Sequence, residues 1–118
     1  MNNIIIQSKF SSYSSSILQA ISDFDTSGNT VLKGDRNTIK SIEIAGLHLN
    51  IKQFKTPNFF NAFVYKYIRK SKARRSYEYG TILTQKSILT PTPIAYFETS
   101  SWWGLKQSYY VSQHISYD

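Results

Sequence analysis

From Leu47 to Phe54 the chain alternates with period two: Leu47, Leu49 and Ile51 fall on one side, His48, Asn50 and Lys52 on the other. Such alternation marks a strand with one buried face, and Gly46 turns the chain into it. Thr38–Ala45 alternates less cleanly, with Ile39, Ile42 and Ile44 apolar. Thr30–Lys33 is a shorter candidate strand across the tight turn Gly34-Asp35-Arg36-Asn37, so the three read as an antiparallel meander. Beyond Phe54 the period changes. Phe60, Phe63, Val64, Tyr67 and Ile68 recur at helical spacing as a broad apolar stripe, and Pro57 suits the start of that helix. A second helix is predicted over about Lys72 to Gln85, either continuing the first or broken from it near Ser71, and Pro91 and Pro93 close the helical region. Ile94–Thr99 and Lys106–Ile115 read as two further strands joined by Ser100-Ser101-Trp102-Trp103-Gly104.

The N-terminus adds a short strand within Asn2–Gln7, then a helix capped by Ser11 and Ser12 and running to about Phe24 on Ile17, Leu18 and Ile21. Asp25-Thr26-Ser27-Gly28-Asn29 is a turn cluster. With helices in blocks and no internal repeat, the class is α+β. At 118 residues the chain is one domain, and an apolar content of 41% with 15% aromatics supports a packed core. The absence of cysteine removes disulfides and thiolate metal sites. His48 and His114 are far apart in sequence and neither has a carboxylate cluster, so a metal site built by this chain alone is not expected. No apolar run approaches the ~20 residues of a membrane-spanning helix, and MNNIIIQSKFSSYSSS has no basic lead-in of a secretory signal. The expected compartment is the cytoplasm.

Charge changes the picture more. The net charge is +7, and eight of the fourteen basic residues lie within residues 52–75, an interval without Asp or Glu. Such a block points to an anionic partner: nucleotide, phosphorylated sugar, anionic lipid or nucleic acid. Five of those cations, Arg69, Lys70, Lys72, Arg74 and Arg75, gather where the second helix is predicted to start, a place whose dipole disfavours positive charge. Either an anion offsets them or they form a solvated face. Trp102-Trp103 at a hairpin tip suits a membrane interface, but packing against a neighbouring lobe or another chain is the favoured reading.

The order of elements carries a further signal. A strand ends in a lysine, Lys52, a helix with one glutamate, Glu78, follows, and a Thr-Pro-Thr-Pro exit leads to a new strand. The small lobe of a protein-kinase-like fold needs that order, because a strand lysine reaches the α/β-phosphates and a helix glutamate holds it. In detail FKTPNFFN (54–61), RKSKARRSYEYG (69–80) and TPTPIAYFE (90–98) resemble the bacterial lipopolysaccharide kinases, which phosphorylate Kdo or heptose of the inner core. The resemblance spans roughly residues 28–117 and implies a kinase-like N-terminal lobe over 28–118: a five-stranded antiparallel sheet with a packed regulatory-type helix, residues 1–27 being an extension packed on it. It implies ATP and Mg²⁺ as cofactors and a lipopolysaccharide core or lipid A precursor as the acceptor, at the cytoplasmic face of the inner membrane.

The resemblance also assigns residues. Lys52 would meet the phosphates, though a lysine at a strand end is by itself more often a solvated edge residue. Glu78 would hold Lys52, and its bland alternative is a local pair with Arg74 or Arg75. Gly34, Asp35, Arg36 and Asn37 occupy the place of the loop over the phosphates, with one glycine where kinases have several. Gln113 and Ile115 fall at the hinge, where kinases meet adenine with backbone groups. Asn50 departs from the small apolar residue usual against the base. The basic block would bind phosphate-bearing lipid. No HRD-like or DFG-like segment occurs, so the acceptor-orienting and Mg²⁺-binding groups would belong to a large lobe outside this sequence, and the chain alone is expected to be inactive. The rival reading is a non-catalytic basic module for nucleic acid or anionic lipid, with Tyr65, Tyr67, Tyr77 and Tyr79 interleaved with the cations.

Overall fold

The computed structural model describes residues 2–26, 29–33, 37–88 and 90–114. Its elements are β1 (Asn2–Ile6), a 3-10 segment (Ser8–Tyr13), α1 (Ser14–Ser22), β2 (Asn29–Lys33), β3 (Asn37–Ile44), β4 (Leu47–Phe54), α2 (Phe59–Tyr67), α3 (Lys72–Gln85), β5 (Pro93–Ser100) and β6 (Leu105–Gln113). The strands form one six-stranded sheet in the order β1-β5-β6-β4-β3-β2, antiparallel throughout. The meander β2-β3-β4 is as the alternation predicts. The chain then leaves the sheet through α2 and α3, returns as β5, and inserts β6 between β5 and β4. β1 extends the sheet at the β5 edge, pairing Ile4 with Phe97.

The period-two pattern explains why the two faces differ. Leu49 and Ile51 of β4, Ala95 of β5 and Val111 of β6 lie on one face, where Phe10, Ile17, Ile21 and Phe24 of the N-terminal segment cover them. Ile17 is 1% exposed and Leu49 0%. Burying such a side chain contributes roughly 1.5–3 kcal/mol. The imperfect register of β3 is explained here too. Ile42 and Ile44 face this core, whereas Ile39 pairs with Lys52 on the other face. Lys40 takes the core-side place between them, and its ammonium reaches the Phe24 carbonyl and lies 4.7 Å from the Phe24 ring centroid.

The first helix differs from expectation. Ser11 and Ser12 cap nothing; they sit inside the 3-10 segment, and α1 starts at Ser14 after Tyr13 without a side-chain cap. The Ser14 hydroxyl instead donates to the Ser11 carbonyl at 2.6 Å, a local bond that competes with regular helix. The second helix starts later than Pro57. Asn58 is its cap, accepting from the Asn61 amide at 2.9 Å. Between α2 and α3 the chain breaks at Ile68–Ser71, and buried Ser71 caps α3 by accepting from the Arg74 amide at 3.0 Å.

The apolar stripe of α2 does not face the sheet. Ala62 is the buried residue of that helix, while Phe60 and Ile68 are 73% and 70% exposed. The small face docks because Gly104 receives it: a Cβ at Gly104 would stand 2.5 Å from the Ala62 carbonyl carbon. A second close approach seats α3. A Cβ at Gly80 would stand 2.6 Å from Pro93 Cγ and 3.2 Å from the Tyr110 hydroxyl. Glycine in a helix interior costs about 1 kcal/mol in propensity, so this contact is what justifies it.

Candidate functional site

Residues paired across neighbouring strands share a face. On the face away from α1, β3 contributes Asn37, Ile39 and Ser41, β4 contributes Phe54, Lys52 and Asn50, and β6 contributes Ser108, Tyr110 and Ser112. α3 packs over the β5–β6 side of that face, through Ala73 and Tyr77 against Phe54, Tyr96 and Tyr110. The β3–β4 side is left as a half-open shelf beside α3. Lys52 stands in the middle of it, half-buried, across from Ile39 on one side and Tyr110 on the other. Its ammonium lies 5.0 Å from the centroid of the Phe54 ring, a cation–π placement. Next along the shelf, His48 and His114 stack at 4.2 Å and Asn50 Oδ1 lies 3.1 Å from His114 Nδ1. The two histidines are therefore neighbours in space, a contact their separation in sequence hid.

Lys52 and Glu78 are not brought together. The Glu78 carboxylate is held by Lys70 at 2.7 Å and by Arg74 at 3.0 Å. The reason is helical phase. Ala73, Tyr77 and Gly80 face the sheet, and Glu78 is one residue, about 100°, past Tyr77. The hydrogen bonds from Lys70 and then Arg74 hold the Glu78 carboxyl below the usual carboxylate range. The place beside Lys52 is filled by tyrosines. Tyr110 is pushed up to about 12, first by burial and then by Tyr77, and burial likewise raises Tyr77 and Tyr96.

Of the other expected positions, Gly34, Asp35, Arg36 and Ile115 lie outside the described residues. Asn37 opens β3 across from Phe54, two positions from Ile39 along the shelf. Gln113 pairs with Leu49, so its side chain belongs to the opposite face, and its N–H donates to the Thr92 carbonyl at 2.9 Å. That donor is engaged within the fold.

The basic block divides. Lys70 and Arg74 share Glu78, so an acid does stand beside them. Arg75 is half-buried, with its Nε enclosed and unpartnered among the described residues. Arg69 is exposed, 6.0 Å from the Tyr65 ring centroid, and Lys72 is exposed in the first turn of α3. Sequence reasoning missed Glu98, a buried carboxylate on β5 bonded by Asn3 Nδ2 at 3.4 Å. A single acid in an alternating strand gave no signal of burial.

The tryptophans sit at the β5–β6 turn, as expected, and α2 lies against them. Trp103 stacks on Phe59 at 4.3 Å and donates from Nε1 to the Phe59 carbonyl at 3.0 Å. Trp102 is 81% exposed.

Comparisons with known proteins bear on this arrangement. No family model matches the sequence, and no curated protein does. Among solved structures the chain is similar to "WaaP in complex with acyl carrier protein", with a TM-score of 0.60 at 12% identity. The match covers 97% of this chain. The fold is part of the WaaP kinase fold. The chain spans 41% of the length of the WaaP chain it matches, a share consistent with a kinase N-terminal lobe. β4 carries Lys52 on the face over which α3 packs.

Proposed function

We propose that this chain is the nucleotide-holding small lobe of an ATP-dependent kinase acting on Kdo or heptose of the lipopolysaccharide core. The carrying observation is Lys52 in mid-strand on a half-open shelf, on the same face as α3, within a sheet ordered as in part of the WaaP fold. Lys52 meets the α/β-phosphates as a point charge on a long stem, and Ile39 offers apolar surface next to it. When bound, Mg²⁺ would neutralise charge on the transferring phosphoryl group. Among the described residues no three His, Cys, Asp or Glu side chains converge. The test is ATP titration followed by amide and lysine NMR. Perturbation of Lys52, Ile39 and Asn50, lost in Lys52→Met, is the expected result. ATP-insensitive Lys52 together with salt-steep oligonucleotide binding would overturn the reading in favour of a nucleic-acid module.

A second reading, docking on an anionic lipid surface, is favoured by one specific arrangement. Phe59, Phe60 and Trp102 are all more than 70% exposed, and the chain leaving α2 carries the exposed cations Arg69 and Lys70. No helix among the described residues is long and apolar enough to cross a membrane, so this contact would be peripheral. Each cation near such a surface contributes about 1 kcal/mol and is screened by salt. Anionic vesicles should pull the chain down and blue-shift its tryptophan emission. Equal pelleting with neutral vesicles would sink this second reading.

A further inference from the structure

We propose that the cleft between the β4–α2 loop and the first turn of α3 is a binding site for a phosphate monoester, separate from the Lys52 shelf. The cleft has a volume of about 480 Å³, within the range of small-molecule sites. Lys55 enters it from the loop and Lys72 from α3, and no carboxylate lines it. Its base includes Ser108, only 4% exposed, whose hydroxyl has no hydrogen-bond partner among the described residues. That hydroxyl opens to the cleft and would donate to a ligand oxygen reaching its base. Glu98, across the β5–β6 pair from Ser108, opens instead into the adjoining groove with Asn3 and Arg74.

Two cations and a hydroxyl donor converging without an opposing acid select an oxyanion. Polar neighbours Asn58 and Asn61 suit a hydroxylated body, and the rings of Phe54 and Tyr65 give it a wall. The ligand class is therefore a phosphate group carried on a small polar body such as a sugar. Lys52 does not line this cleft, so the site stands or falls independently of nucleotide binding.

The experiment is NMR titration of the whole chain with glucose 6-phosphate, inorganic phosphate and glucose. Glucose 6-phosphate should shift the amides of residues 54–56, 58 and 105–108 and bind more tightly than phosphate, and glucose should shift none of them. The double variant Lys55→Gln/Lys72→Gln should lose about tenfold in affinity per lysine. Lys52→Met should bind as the wild type does, and thermal melting checks that each variant is folded. No shift at these amides, or undiminished binding by a folded double variant, would overturn the proposal. Phosphate binding as tightly as the sugar phosphate would overturn the part given to the Asn58, Asn61 and Tyr65 wall.

Discussion

Replacing Gly104 by alanine tests how α2 is attached. Its new Cβ would stand 2.5 Å from the Ala62 carbonyl carbon, 2.6 Å from the Ala62 oxygen and 2.7 Å from the Phe63 nitrogen. Non-bonded carbon atoms rest at about 3.5–4.0 Å, and these are backbone atoms of a helix, so α2 must move as a body by about 1 Å. Overpacking of this kind costs roughly 1–3 kcal/mol. Moving α2 away loosens the Trp103 Nε1 bond to the Phe59 carbonyl, 3.0 Å long and worth about 1 kcal/mol. It also loosens the Phe59–Trp103 stack at 4.3 Å, worth about 0.5–1.5 kcal/mol. The first route gives about 1–3 kcal/mol and the second about 1.5–2.5 kcal/mol, so a loss of about 2 kcal/mol is expected. Gly46→Ala is the control: its φ is +86° with nothing within 4 Å of the added Cβ, so only the left-handed backbone penalty of about 1–2 kcal/mol applies. Urea unfolding gives the two stabilities, and native-state tryptophan emission reports Trp103. Gly104→Ala should red-shift that emission and Gly46→Ala should not. A Gly104→Ala protein as stable as Gly46→Ala, with unchanged emission, would refute the close-approach argument.

Other outcomes follow from the buried tyrosines and the Glu78 pairs. Tyr110 keeps its proton in the folded chain up to about 12, whereas the unfolded chain releases it near 10. The unfolded state therefore binds fewer protons between those values, and stability falls by roughly 1–3 kcal/mol as pH rises through that window. Tyr110→Phe should remove most of this alkaline loss in urea titrations at pH 8 and 11; an unaltered loss would contradict the burial of the hydroxyl. Glu78, held below the usual carboxylate range by Lys70 and Arg74, contributes stability that is present above that range and fades as pH falls through it. Because these side chains are a third to a half exposed, Glu78→Gln should cost no more than about 1 kcal/mol. The same variant frees two cations and should strengthen pelleting with anionic vesicles, and weaker pelleting would count against the lipid reading.

The sequence was most legible where periodicity was long and caps were local. Lys72–Gln85 and Leu47–Phe54 were bounded as the structure has them, because Ser71 and Gly46 mark their starts and the patterns are unbroken. Legibility failed where packing outweighed local preference. The stripe of α2 was readable as apolar, but which face docks was decided by Gly104, far downstream in sequence. The serines before α1 were sound caps by type, yet burial of Phe10 and the Ser14–Ser11 bond set that segment's course. Charge was the least legible. The local pair of Glu78 with Arg74 was legible from its spacing, but the reach of Lys70 to the same carboxylate across the α2–α3 break was not.

That last contact constrains how any nucleotide site on this lobe works. Bringing Glu78 under the sheet means turning α3 by about 100°, which would carry Gly80 away from Pro93 and Tyr110. The residue arriving there would be Tyr79 or Thr81, and either has a Cβ where even a bare Cβ on Gly80 meets Pro93 Cγ at 2.6 Å. Rotation is therefore blocked while α3 stays at its present distance from β5. Lys52 is steadied by the Phe54 ring instead, and a ring attracts an ammonium without neutralising it. Glu78 being held by Lys70 and Arg74, the proposed role of Lys52 requires that a bound phosphate, and not this carboxylate, serve as the lysine's counter-ion.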